Sequence, residues 1–301
     1  MTESNLFSSA FVFYVLSLVV YFLVHFARRE KWAKGALILA VIGFCSQTVA
    51  LLLRTFSSGH APFTNMYESL SFLSWAIVLA LIIFGRSSLM PRLGPYLMLI
   101  VVGLVALASS PLMPKEATPL VPALQSYWLW LHVSVTLLGE AFFAVAFAAS
   151  IIYIHFVFAP YIHSRILGWK GKRSAWIAIV RLVDAMYTYF GLNAADSDEK
   201  KERLDALAYR AVAVGFPLFT LGGLVFGMVW AYRAWGRYWG WDPKEVWSLI
   251  TWFVFALYLH TRIVMGWKGK RSALIAILGF LAALFTYFGV NYLLAGLHSY
   301  A

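Results

Sequence analysis

Eight apolar segments, each about 20 residues long, recur along this chain of 301 residues. A helix needs about 20 apolar residues to cross the ~30 Å hydrocarbon core of a bilayer. The sequence therefore predicts an all-α polytopic membrane protein, with a single membrane domain over 1–301. The predicted spans lie near 7–27, 35–54, 66–85, 94–110, 127–158, 210–231, 244–265 and 273–295.

The composition excludes a soluble globular domain, because 62% of the residues are hydrophobic and the mean hydropathy is +0.77. Soluble domains are usually about 45–50% apolar. The first apolar run, Leu6 to Phe26, is too long for a signal peptide and is followed by basic residues rather than a cleavage site, so it is predicted to be a span. Because Cys45 is the only cysteine, any thiol chemistry must use the cysteines of a partner.

The basic residues predict how the chain is oriented in its membrane. Nineteen of the 24 Lys and Arg residues fall in one set of alternate loops, and five fall in the other set. By the positive-inside rule the crowded side is cytoplasmic, so this charge indicates orientation and no nucleic-acid partner. Both termini and the loop at 232–243 are then external. We expect a multi-pass protein of the bacterial cytoplasmic membrane, with the thylakoid membrane as the alternative.

The external loop at 232–243 leads into the densest aromatic stretch of the chain. Aromatic residues alternate there with glycines and charges, which is more than the anchoring of one helix requires. A flat aromatic platform suits a planar, largely apolar ligand with charged edges, and haem with its two propionates is the leading candidate. The alternative is an aromatic belt that only sets helix depth. The predicted platform residues are Trp235, Trp239, Trp241, Asp242 and Trp247.

The same stretch predicts where the seventh span begins. Asp242 at the N-cap, Pro243 at the first helical position and Glu245 two residues later form a helix-start signal. Three basic residues flank the platform and are candidate contacts for propionates, although interfacial snorkelling explains each one equally well. They are Arg233, Arg237 and Lys244.

Three histidines are candidate ligands of haem iron. His132 begins the fifth span and His298 ends the eighth, so both are predicted at the level of the external loop, where two neutral imidazoles can ligate iron axially. His260 lies 17 residues after Pro243, roughly 25 Å deeper along a helix, and therefore belongs to a separate inner site. His25 has a similar depth and is a candidate partner for it.

Two acidic residues are predicted near the external side. Glu68 stands three residues after Asn65, the spacing of a helix cap; support for the platform is the alternative. Glu140 lies eight residues into the fifth span and is expected to pair with a polar residue of another helix, which the sequence does not identify.

The polar region at 160–208 is predicted to be a cytoplasmic loop containing an amphipathic helix. Residues 168–193 match 266–291 at 17 of 26 positions, but the first copy carries Arg181 and Asp184 where the second has Gly279 and Ala282. A helix lying on the inner membrane surface fits this pattern better than a span.

The stretch 235–252, with Gly296-Leu-His298-Ser-Tyr300, resembles the tryptophan-rich WWD-domain family of haem-handling proteins, which includes CcsA/ResC, CcmC and CcmF. Length and the eight-span plan are most similar to the CcsA/ResC type of system II cytochrome c biogenesis. The resemblance implies external haem ligands at His132 and His298 and a transmembrane haem ligand at His260. It implies a second transmembrane ligand from a ResB/CcsB-like partner, which weakens His25 as a candidate. The 168–193 repeat and Glu140 depart from the pattern.

The expected function is that of the membrane haem-handling component of a cytochrome c synthase. Non-covalent haem b would be exported and presented externally for thioether attachment to the C-x-x-C-H motif of an apocytochrome c, and no side chain of this chain would act as acid, base or nucleophile. One alternative is a haem exporter or chaperone without lyase activity. Less favoured are a respiratory membrane subunit with b-type haems and a secondary transporter.

Overall fold

All regular structure in the described part of the chain is helical, and eight of its helices are long and apolar enough to cross a membrane. The computed structural model describes residues 2–27, 30–85, 87–113, 115–116, 120, 124–168, 197–294 and 296. The α-helices are α1 (Glu3–Ala27), α2 (Ala33–Ser58), α3 (Met66–Ile83), α4 (Met90–Ser109), α5 (Tyr127–Gly168), α6 (Ser197–Phe219), α7 (Gly227–Trp235), α8 (Pro243–Ile263), α9 (Lys270–Leu284) and α10 (Val290–Leu293). A 3₁₀ helix (Glu30–Trp32) and two π-helices, π1 (Thr220–Phe226) and π2 (Phe285–Gly289), are also present.

The eight predicted spans are confirmed, with differences at their ends. The fifth span continues as one helix to Gly168, and the sixth begins already at Ser197 rather than near 210. The external loop is shorter than 232–243, because α7 continues to Trp235 before Gly236 adopts a left-handed conformation. The 168–193 repeat lies outside the described residues except at Gly168.

The helices pack around α5, which contacts α3, α6 and α9. On one flank, α1 packs against α2 and α4; on the other, α8 packs against α6 and α9. A buried hydrogen-bond network joins the first three helices, because Gln47 accepts from the Tyr14 hydroxyl at 2.7 Å and donates to Ser74 at 2.9 Å. Such interhelical bonds replace the hydrophobic driving force that is missing within lipid.

Glycines let the backbones of α5 and α6 approach each other closely, next to the candidate functional site. A Cβ on Gly139 would lie 2.8 Å from the Phe219 nitrogen, and one on Gly215 would lie 2.9 Å from the Gly139 oxygen. A Cβ on Gly222, in π1, would collide with the backbone nitrogen of Thr136 on α5. Small residues at such crossings are typical of membrane helices, and here they hold π1 directly against the first turns of α5.

Buried ion pairs fix the two ends of the bundle. At the end that carries the start of α3, Arg54 Nε donates to the fully buried Glu68 at 2.8 Å, while Arg54 also pairs with Glu3 at 3.3 Å. At the opposite end, Arg262 contacts both oxygens of Asp205, at 2.6 and 2.8 Å, and Gly269 N–H donates to the same carboxylate. The first pair ties together the consecutive helices α1, α2 and α3, and the second joins α6 to α8.

The helix starts predicted at Asn65 and Asp242 are both present. The Asn65 side chain accepts from Glu68 N–H, and the Glu68 carboxylate accepts from the Thr64 N–H rather than closing a reciprocal capping box. Asp242 and Glu245 form a complete capping box, and α8 begins at Pro243 as predicted. The N-cap at Asn65 is confirmed, but the Glu68 carboxylate does not complete a capping box; it accepts from Thr64 and pairs with Arg54.

Candidate functional site

A cavity of about 960 Å³, counting the space at its mouth, opens between α3, α5, π1, α7, α8 and π2. Both π-helices contribute to its wall, and π-helical turns are frequent at functional sites because they displace backbone groups from the α-helical pattern. The cavity is therefore the first place to look for the predicted haem site.

His132, in the second turn of α5, lines this cavity. Its Nδ1 lies 2.8 Å from the carbonyl oxygen of Gly222, and its ring stacks on Trp230 with centroids 5.7 Å apart and planes within 8°. Because a carbonyl oxygen can only accept, Nδ1 carries the proton and Nε2 carries the lone pair of the neutral ring. Metal-binding histidines use this arrangement, in which one ring nitrogen donates to a carbonyl and the other binds the metal.

The geometry of π1 explains why the Gly222 carbonyl can accept from a side chain. In π1 this oxygen accepts from the N–H of Gly227, five residues later, instead of forming the usual α-helical bond. The carbonyl has a second lone pair, which the His132 ring uses. A side chain at position 222 would collide with α5, so glycine is needed to bring the carbonyl within reach of the histidine.

Tryptophan side chains form the cavity wall next to His132. Some of them are predicted platform residues and one is not. Trp230 is only 4% exposed and lines the cavity, and Trp235 packs edge-on against it at 4.9 Å. Trp239 lines the cavity from the external loop. Trp230 was not among the predicted platform residues, because within the sixth apolar segment it has no sequence feature that separates it from a residue packed between helices.

The other predicted platform residues lie around the cavity without lining it in the described structure. Trp241 is 73% exposed, contacts Trp239 edge-on at 5.8 Å, and has a positive φ of 57°, a conformation rare for residues other than glycine. Trp247 packs on Phe285 of π2 at 4.2 Å. Asp242 is buried as the cap of α8.

The loop conformation is set by the carboxylate of Glu245. It accepts from the N–H of Gly240 at 2.7 Å and of Asp242 at 3.2 Å, the residues on either side of Trp241. One carboxylate thus bends the chain around Trp241 and turns that side chain outward. Gly296 lies against this turn, since a Cβ there would be 2.7 Å from Asp242 Oδ1 and 3.2 Å from Pro243 Cδ.

Of the three described basic residues predicted to flank the ligand, Lys244 alone lines the cavity. Its Nζ donates to Asn291 Oδ1 at 2.9 Å. Arg233 and Arg237 are exposed on the outer surface of α7 and the loop.

Glu140, 6% exposed, also lines the cavity, and its charge interacts with that of Lys244. Lys244 is thus the basic side chain that lines the same cavity as Glu140 and acts on it electrostatically.

His260 lies far from this cavity, at the opposite end of α8, and is exposed. Its neighbours one helical turn away, Leu257 and Val264, are exposed as well. His298 lies outside the described residues, and so does the side chain of His25. The described structure thus brings together His132, Trp239 and Lys244 from the predicted site and adds Trp230 and Glu140.

An all-helical membrane bundle with an aromatic-walled cavity and a histidine in metal-binding form defines a polytopic ligand-handling membrane protein. The family described as cytochrome c assembly protein matches residues 63–156 and 192–298. The chain belongs to that family.

Individual relatives lead to the same family. The chain is 37% identical to the cytochrome c biogenesis protein CcsA of Mesostigma viride over 99% of its length and 96% of that protein. It is 42% identical to CcsA of Prochlorococcus marinus (strain MIT 9313), covering 84% of this chain and 80% of that protein. It is 37% identical to CcsA of Gloeobacter violaceus, covering 97% and 94%. The predicted resemblance to CcsA-type proteins is confirmed.

A solved structure supports the fold. The chain superposes on the cytochrome c haem lyase CcmF with a TM-score of 0.65 and 18% identity, over 96% of this chain and 47% of that one. At this level of identity the likeness concerns the arrangement of helices. It is consistent with an all-α membrane bundle that spans about half of the larger protein.

Proposed function

We propose that this protein binds haem b without a covalent bond and presents it at the outer membrane face, where an apocytochrome c acquires it through thioether bonds. The observation that carries the proposal is the hydrogen bond between His132 Nδ1 and the Gly222 carbonyl. It holds the imidazole in the tautomer that ligates iron, at the wall of a cavity that is open at its mouth.

His298 is the proposed second axial ligand. Its side chain lies outside the described residues, but Gly296, two residues earlier, lies against Asp242 at the start of α8. This supports a ligand that approaches from the side of the external loop. Trp230 stacks on His132, and Trp239 lines the same cavity, so both offer apolar surface to a planar ring. Trp235 supports Trp230 from behind.

The chemistry then depends on positioning. The thiol of each cysteine in the C-x-x-C-H motif adds across a vinyl double bond of haem: sulfur bonds one vinyl carbon, the thiol hydrogen goes to the other, and no electrons are exchanged with the protein. Axial ligation by His132 and the aromatic wall restrict the orientation of the ring, which contributes through proximity rather than through acid or base catalysis. In this proposal the chain supplies no nucleophile.

His260 is proposed as the ligand of a second haem near the inner face, shared with a ResB/CcsB-like membrane subunit. It lies on a face of α8 whose other members, Phe253, Leu257 and Val264, are 52–69% exposed. An imidazole directed at lipid is unfavourable, so coverage of this face by a partner that supplies an opposing ligand is the better arrangement. The membrane is proposed to be the bacterial cytoplasmic membrane or a thylakoid, with the His132 end outside.

Co-expression with the partner subunit and an apocytochrome c, in a host without its own maturation system, tests the proposal. We expect His132→Ala to abolish covalent haem on the cytochrome, scored by haem staining after denaturing electrophoresis. His60→Ala is the matched control, since His60 belongs to the same end and does not line the cavity. Normal holocytochrome from His132→Ala would contradict the proposal. A bound bis-histidine haem without covalent product, even for the wild type, would identify a haem carrier instead.

A further inference from the structure

The cavity is lined by two side chains of opposite charge type, the buried Glu140 and the half-buried Lys244, which interact electrostatically. Glu140 is on α5, Lys244 is in the first turn of α8, and the Nζ of Lys244 also donates to Asn291 at 2.9 Å. Asn291 is held in place by its own amide, which donates to the Tyr287 carbonyl at 2.6 Å and to Met66 Sδ at 3.5 Å. The ammonium group of Lys244 is therefore held by Asn291, which is itself fixed by Tyr287 and Met66.

The position of this pair relative to His132 matters for a ligand. Glu140 lies two helical turns after His132 on α5, roughly 12 Å further along the helix axis. Lys244 lies close to the depth of His132, because each precedes by 11 residues one ring of the stacked pair Phe143 and Phe255. Apart from His132, Lys244 is the only basic side chain among the described residues that line it. A carboxylate that enters this cavity finds its strongest partner there, through a charge-assisted hydrogen bond.

We propose that Lys244 binds a propionate of the incoming haem and that Glu140 is the resident counter-ion which this propionate displaces. The proposal rests on the haem-presenting role described above. Lys244 attracts the propionate, Glu140 competes with the propionate for Lys244, and together they orient the substrate. Haem carries its propionates on one edge and its vinyl groups on the opposite edge. With a propionate bound to Lys244, the vinyl edge of the ring is directed away from the first turn of α8.

Glu140 is itself a carboxylate, and its role as counter-ion explains why it is present at a site proposed to bind a propionate. An ammonium buried in a membrane bundle without an opposite charge is costly, so the empty cavity needs Glu140. Asn291 can remain hydrogen-bonded to Lys244 in both states. Asp242, the cap of α8, is the other acidic group whose charge acts on Lys244. Because Glu140 competes with the propionate, haem is held less tightly than by a lysine alone, which favours its transfer to the cytochrome.

Binding of haem and of haem dimethyl ester, whose carboxylates are blocked, tests the proposal on the purified protein with its partner subunit. For the wild type we expect haem to bind at least about tenfold more tightly than the ester, the factor that ~1.4 kcal/mol gives. Lys244→Gln should remove this preference and Lys244→Arg should retain most of it. Glu140→Gln should strengthen haem binding several-fold and leave ester binding unchanged. Glu202→Gln and Lys268→Gln, both exposed, are matched controls.

Two results would overturn the proposal: a wild-type preference for haem in Lys244→Gln, or a Glu140→Gln variant in which both ligands gain or lose affinity equally. If Lys244→Gln does not fold, the Glu140→Gln and Lys244→Arg variants decide alone. The His132→Ala variant distinguishes a failure of the carboxylate site from a failure of the proposed iron ligation. It should alter the low-spin spectrum with both ligands and keep the preference for carboxylates. An unaltered spectrum would refute iron ligation by His132 and leave the carboxylate site standing.

Discussion

The surroundings of His132 and of His260 differ: this chain surrounds His132 with its own residues, but it leaves His260 exposed. His132 is held by a hydrogen bond to Gly222, stacked on Trp230 and set in a cavity walled by several helices and a loop. His260 lies on an exposed, otherwise apolar helix face at the other end of the bundle. A histidine whose tautomer and ring plane are fixed is ready for a ligand, whereas an exposed one on a membrane helix needs a second protein to form a site.

Removal of the ion pair at the His260 end is expected to have the largest effect on stability and none on the His132 site. Asp205→Ala leaves the buried Arg262 without its carboxylate and should lower the free energy of unfolding by about 3 kcal/mol. Thermal unfolding in detergent measures the loss. Asp198→Ala on the same helix, whose carboxylate is exposed, should cost less than about 1 kcal/mol. A loss of the external haem spectrum in folded Asp205→Ala would show that the two ends are coupled.

A methyl group at position 222 is expected to break the His132 site selectively. Gly222→Ala overpacks the contact between π1 and α5, at a cost of about 1–3 kcal/mol, and moves the carbonyl that orients His132. We expect the bis-histidine haem spectrum to weaken strongly. Gly223→Ala is the matched control, because a Cβ there meets the Phe219 ring at an ordinary distance of 3.4 Å. Equal spectra for both variants would mean that the Gly222 carbonyl does not position the histidine.

Loss of the ring that stacks on His132 should have a smaller effect. Trp230→Leu removes an aromatic pair, a contribution of roughly 1 kcal/mol, and should weaken haem binding about fivefold. Trp230→Phe keeps a ring and should recover most of the affinity, as measured by titration of the absorbance. If the leucine and phenylalanine variants bind haem equally, the role of Trp230 is to fill space, and the ring contact with His132 is not important for binding.

The sequence alone was sufficient for the spans, the start of α8 and the position of His132 near the start of α5. Each of these depends on local chemistry: apolar length, the Asp-Pro-Lys-Glu cap, and a histidine at a predicted helix start. The features that complete the site are of another kind. The π-helical turn that exposes the Gly222 carbonyl is a backbone rearrangement with no distinct hydrophobic pattern, and the pairing of Glu140 with Lys244 depends on the packing of α5 against distant helices. Trp230 was missed because only its contact with His132 distinguishes it.

The difference between the two ends can be measured directly as haem bound to the purified chain without its partner subunit. The wild type is expected to bind haem with a bis-histidine low-spin spectrum. His132→Ala should abolish that spectrum, and His260→Ala should leave it unchanged until the partner is added. A chain that loses its haem through His260→Ala and retains it through His132→Ala would contradict the account, because the self-contained site would then lie at the wrong end of the bundle.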